Sequence, residues 1–80
     1  MSNAQNNELS PGDIVVLTEI PAGLLHGLPL EDQEAISKVV GKPILLNEYD
    51  ADGRAELKFT DSHGVIHFIY VKTSFIRAAK

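Results

Sequence analysis

The sequence predicts a mainly β domain: a small barrel of about five strands, with one short helix inserted in its first long loop. Three observations lead there. "DADG" (50–53) and "DSHG" (61–64) are two D-x-x-G turns separated by "RAELKFT". "DIVVLTEI" (13–20), ahead of them, is rich in the β-branched residues that pack well on a pleated surface. Between these lies a segment with helical periodicity, "LEDQEAISKVVG" (30–41).

Each element has a local cause. The first strand starts after the Pro11-Gly12 turn and ends before "PAGLLHGLP" (21–29), whose two glycines and two prolines make a loop. The helix has Glu31, Asp32 and Glu34 at its start and Lys38 near its end, which suits its dipole. Ile36, Val39 and Val40 share one face; Gly41 suits a left-handed C-terminal residue, and Pro43 prevents continuation. Strands over 43–49, 54–60 and 65–71 then form an antiparallel meander. "KTSF" (72–75) suits one tight helical turn, and "FIRA" (75–78) a short last strand.

The stretch "NEYDADGRAELKFTDSHG" (47–64) also resembles a calcium loop. With Gly53 as its sixth residue, Glu48, Asp50 and Asp52 take the first three ligand places, but the twelfth falls on Phe59, which ligates nothing. The flanks read as strands rather than helices. Turn chemistry accounts for more: Asp opens a type I turn by bonding the backbone ahead of it, and Gly supplies a positive φ at the fourth place. That combination is the three-residue hairpin loop with a bulge.

This loop length sets the register. Asp61 faces Val65, Phe59 faces His67, Leu57 faces Ile69 and Ala55 faces Val71. Ala55, Leu57, Phe59, Ile69 and Val71 then point inward, with His67 near the barrel end. Glu56, Lys58, Ile66, Phe68 and Tyr70 point outward. A loop one residue shorter or longer exchanges the faces of the last meander strand.

Composition bounds the class. The 80 residues make one domain, with 1–10 expected as a disordered polar tail, part of it resembling a tag remnant, and 11–80 as the folded unit. No cysteine is present, which removes disulfides, thiolate chemistry and zinc–sulfur sites and fits a cytoplasmic protein. No apolar run approaches a membrane span. A net charge of −4, with the seven Lys and Arg scattered, argues against general nucleic-acid binding.

The order of strand, long loop with a helix, meander, tight turn and short strand resembles an SH3-like barrel, over about residues 11–78. "PGDIVVL", "GRAELKFTDSHGVIHFIYV" and "KTSFI" carry the resemblance. More narrowly, "PAGLL", "VGK" and "DGRAEL" in their order resemble a group of small bacterial SH3-like barrel proteins of unassigned function. The resemblance implies a fold and no activity. Proline-rich recognition by signalling SH3 domains needs an aromatic groove, whereas this chain has no Trp and no aromatic residue in its first loop. Ribosomal and transcriptional relatives carry basic loops, and here the loops hold acids.

No catalytic constellation is evident. Ser37, Ser62 and Ser74 lack a neighbouring base, and no small-molecule substrate, cofactor or metal site is indicated. His63 reads as a solvated turn residue and His67 as a satisfied histidine at the core edge, on the face opposite Glu56. The expected function is therefore a non-catalytic protein-interaction module, or an accessory or protective subunit, binding a protein partner or a second copy. The alternative is a nucleic-acid or ribosome-associated barrel. The candidate partner-binding residues are Phe68, Tyr70, Leu24, Leu25 and His26. Either the helix or the "GLLHGL" loop covers Phe68 and Tyr70, or they form an exposed apolar patch of the kind that marks an interaction site.

Overall fold

A computed structural model describes residues 9–79. The tail expected over 1–10 lies outside the described residues as far as residue 8. Leu9 already packs against the core, and its carbonyl accepts the Tyr49 hydroxyl at 2.5 Å.

The architecture is mainly β, as expected. Strands β1 (Ile14–Leu17), β2 (Pro43–Tyr49), β3 (Ala55–Thr60), β4 (Ile66–Val71) and β5 (Ile76–Ala78) form one sheet in the order β4-β3-β2-β1-β5. Every pairing is antiparallel. Helix α1 (Leu30–Val39) lies in the long β1–β2 connection, and a single 3-10 turn (Thr73–Phe75) leads into β5.

β1 is shorter than its β-branched run. The Leu17 carbonyl accepts the Gly41 amide at 3.0 Å, and the Thr18 amide and hydroxyl both donate to the Phe75 carbonyl. These bonds take the chain off the β1–β5 ladder and tie the end of the helical segment to the strand. From Ile20 to Leu28 the loop is a run of tight turns, closed by Leu24 N–H to Pro21 O, His26 N–H to Gly23 O and Leu28 N–H to Leu25 O.

α1 starts on Pro29, whose carbonyl accepts the Asp32 and Gln33 amides. It buries Ala35 and Ile36. The helix stops at Val39 rather than Gly41, because Val40 has φ −57° and ψ 127°. With Gly41 at φ 84° and the Lys42 amide bonded to the Val39 carbonyl at 2.9 Å, residues 39–42 form a type II turn. Gly41 is left-handed as expected, but as the third residue of that turn.

The meander has the expected register. Phe59 pairs with His67, Leu57 with Ile69 and Ala55 with Val71. Both hairpin turns are built alike. The Asp50 side chain accepts the amides of Asp52 and Arg54, and the Asp61 side chain those of His63 and Val65. Gly53 and Gly64 have φ of 82° and 83°.

The core joins Val15 and Leu17 of β1, Ile44 and Leu46 of β2, Ala55, Leu57 and Phe59 of β3, Ile69 and Val71 of β4, Ile76 of β5, and Ala35 and Ile36 of α1. Burying each large aliphatic side chain contributes about 1.5–3 kcal/mol. No buried polar or charged residue occurs among the described residues.

One feature of β2 breaks strict alternation. Leu46 pairs with Leu57 and Glu48 with Glu56, so Asn47 is an extra residue, a β-bulge. Alternation from Ile44 and Leu46 would turn Glu48 into the core. The bulge instead leaves Glu48 exposed and turns Tyr49 inward, where it packs against the core cluster.

Candidate functional site

The outer face of the sheet follows from the same registers. Residues paired across neighbouring strands share a face. Ile14 pairs with Leu45, Leu45 with Lys58, and Lys58 with Phe68, which makes one row across four strands. Two further pairs flank its β4 end: Thr60 with Ile66, and Glu56 with Tyr70.

This face keeps large apolar groups in water. Ile66, Phe68 and Tyr70 are 53%, 49% and 43% exposed, and Ile14 at the far end of the row is 48% exposed. Neither the helix nor the "GLLHGL" loop covers Phe68 and Tyr70. The reading in which they are covered is therefore corrected. α1 and the loop leucines pack onto the inner face of the sheet, around the core, and leave the β4 end of the outer face uncovered.

The two rings are held differently. The Tyr70 hydroxyl donates to Glu56 Oε2 at 2.6 Å, while Asn47 Nδ2, presented by the bulge, donates to Glu56 Oε1 at 3.0 Å. These bonds, Tyr70 first, hold the Glu56 carboxyl below its usual range, and the same Glu56 bond raises the Tyr70 phenol. The Arg54 guanidinium carbon sits 5.9 Å from the Tyr70 ring centroid, within cation–π reach. Tyr70 is thus a fixed ring with a charged collar. Phe68 has Lys58 as its β3 partner.

The remaining candidates separate. Leu24 and Leu25 are half-buried and pack against the core, so their apolar surface is largely spent in closing it. His26 is exposed between the loop turns.

The turn reading of 47–64 has a geometric basis. Asp50 Oδ1 accepts two backbone amides, and its Oδ2 accepts Arg54 Nε at 2.9 Å. Desolvation pushes the Asp50 carboxyl up, but the Arg54 and Asp52 amides and the guanidinium together bring it below its usual range. This carboxylate is committed to the turn. Calorimetric titration of the chain with calcium is expected to give only heats of dilution, and a micromolar site would contradict that.

A group that the sequence reading did not assemble surrounds His67. Its Nε2 lies 2.9 Å from Asp61 Oδ2 and its Nδ1 3.6 Å from Asp32 Oδ1 of α1. Its ring stacks on Phe59, with centroids 5.2 Å apart. His67 is a satisfied histidine at the core edge, as expected from its position. Its two carboxylates were not legible, because Asp32 reaches it only after α1 folds back over the hairpin. A cleft of 620 Å³ opens beside it, between α1 and the second turn. Asp32 and Asp61 face opposite nitrogens of the ring and do not converge on one point. Among the described residues no group of three or more His, Asp or Glu could hold a metal ion.

Asp61 carries a pH dependence. The His67 bond first, then the Val65 amide, lower its carboxyl from 3.8 to about 2; desolvation opposes them, and the His63 amide adds a weaker pull downward. A carboxyl depressed by folding contributes stability that is complete above its unfolded value and is lost as pH falls through the folded one. Thermal melts are therefore expected to fall between pH of about 4 and about 2. Asp61→Asn keeps the Oδ1 acceptor but cannot titrate, and should flatten that part of the profile. An unchanged profile would show that Asp61 does not contribute.

No helix among the described residues is long and apolar enough to cross a membrane. Comparison with family models, with curated proteins and with solved structures gives no significant match to this chain.

Proposed function

We propose that this chain is a small non-catalytic protein-interaction module, an SH3-like barrel of the bacterial kind, acting in the cytoplasm alone or as an accessory or protective subunit. Its partner surface is the outer face of β4. One observation carries this reading: Ile66, Phe68 and Tyr70 stand side by side, each about half exposed, on a face that the rest of the domain does not cover. Aromatic residues with an apolar body and a polar handle are what protein interfaces favour. The strand order, with β1 between β2 and β5, supports the SH3-like assignment.

Absence of catalysis is part of the proposal. The best-placed histidine, His67, has carboxylates at both nitrogens and a side chain only 9% exposed, and Ser37 donates to the Gln33 carbonyl inside its own helix.

A second reading has its own support. Arg54 over Tyr70 and Lys58 opposite Phe68 set cations beside two rings, a combination that suits stacked bases of a single strand. Against it, Asp50 and Asp52 both pair with Arg54.

The test is capture of partners on the immobilised full chain from a nuclease-treated extract, parent beside Phe68→Ser. A partner that survives nuclease and is lost with Phe68→Ser is expected. Equal capture by both proteins would remove the face from consideration. Loss on nuclease treatment, together with salt-dependent RNA binding, would favour the second reading.

A further inference from the structure

The two edges of the sheet differ. β5 is three residues long and carries Arg77. β4 is six residues long and contains no Asp, Glu, Lys, Arg, Pro or Gly. Natural edge strands are kept from pairing by shortness, charge, proline or a bulge. β5 has the first two of these devices, and β4 has none.

The backbone phase of β4 sharpens the contrast. The Asp61 amide donates to the Val65 carbonyl at 2.9 Å, which makes 61 and 65 a hydrogen-bonded pair. Such pairs recur at every second residue of an antiparallel ladder. Residues 67, 69 and 71 therefore bond to β3, and the N–H and C=O groups of Ile66, Phe68 and Tyr70 point to the open edge. These are the same three residues whose side chains are about half exposed.

We propose that β4 pairs antiparallel with β4 of a second copy of this chain, about a two-fold axis at Phe68. This deepens the interaction-module reading, because it names an occupant for the edge that the same three residues form. The strand is self-complementary in that register. Phe68 meets its own counterpart, and Ile66 meets Tyr70 of the second copy in both directions. All three are hydrogen-bonded pairs, giving about six ladder bonds. No formal charge on β4 meets a like charge. The outer row Ile14, Leu45, Lys58 and Phe68 continues through the axis into the same row of the second copy.

The size of the contact sets its strength. Half-exposed side chains of this kind offer roughly 100 Å² each, so the three from both copies bury at most roughly 600 Å². That lies below the ~1,200 Å² of a standard stable interface. The dimer is therefore a weak one.

The experiment is sedimentation equilibrium of the full chain up to about 1 mM, with amide hydrogen exchange at both ends of that range. The dimer fraction should rise with concentration, and the Ile66, Phe68 and Tyr70 amides should gain protection as it does. Ile66→Pro removes one edge N–H while keeping both rings, and Phe68→Lys places a charge on the axis. Both should stay monomeric with a parent-like circular dichroism spectrum. A parent that stays monomeric at the highest concentration overturns the proposal. So does a dimer whose three edge amides exchange freely, or edge protection that appears only when another protein is added. If in any of these cases Phe68→Ser still abolishes capture of a nuclease-resistant partner, the interaction-module reading stands without the second copy.

Discussion

Ile69→Ala is expected to destabilise the domain by about 2–5 kcal/mol, the range for deleting a buried aliphatic side chain and leaving part of its space empty. Ile69 is 6% exposed and pairs with the fully buried Leu57. Small domains have only about 5–15 kcal/mol in total, so the loss should be large enough to shift a urea midpoint clearly. The neighbouring substitution Phe68→Ser is the contrast. Its side chain is half exposed on the other face, so its melt should move little. The reverse outcome, an unfolded Phe68→Ser and a neutral Ile69→Ala, would mean that the strand is inverted in solution.

The second large effect concerns the hairpin turns. Gly53→Ala and Gly64→Ala should each cost about 1 kcal/mol or more, because alanine resists positive φ. A Cβ built at either glycine meets no atom within 4 Å, so steric crowding adds nothing and the cost is conformational. Gly64→Asn should therefore lose less than Gly64→Ala, since asparagine tolerates the left-handed region better. The two turns share no residue, so the double variant should lose roughly the sum, about 2 kcal/mol. Melting curves of both alanine variants that superimpose on the parent would mean the glycines are not held left-handed.

The meander was legible because its information is local. An Asp that bonds two amides ahead of it and a glycine three residues later fix the loop length, and loop length fixes which side chains face each other. From "DSHG" alone, Phe59 falls opposite His67 and Phe68 points away from the core. The bulge at Asn47 had no such signal. "PILLNEY" contains no glycine or proline to mark an irregularity, and the irregularity exists because Glu48 cannot enter the core while Tyr49 can. At the end of α1 the left-handed Gly41 was legible, but the type II turn that holds it was not. Val40 has no reason in its own chemistry to leave the helix, and the turn forms so that the Gly41 amide can meet the Leu17 carbonyl.

Candidate site residues divide the same way. Phe68 and Tyr70 were placed on the outer face by counting from a turn. Leu24 and Leu25 were placed on a possible surface because they lie in a loop, yet they close the core. Whether Phe68 and Tyr70 were covered could not be read from the chain, since that depends on which side of the sheet α1 takes.

By itself, then, the order of residues determined the class of fold, the positions of both hairpin turns, the β3–β4 register and the division of β4 into an inner and an outer face. These rest on hydrogen bonds and backbone angles within a few neighbours. Only the tertiary structure decided that α1 packs on the inner side, that Asp32 joins Asp61 at His67, that a bulge turns Tyr49 inward, and that the outer face of β4 is left open to water. Those outcomes depend on contacts between segments distant in sequence, where the competition to bury apolar area is settled by the whole core at once.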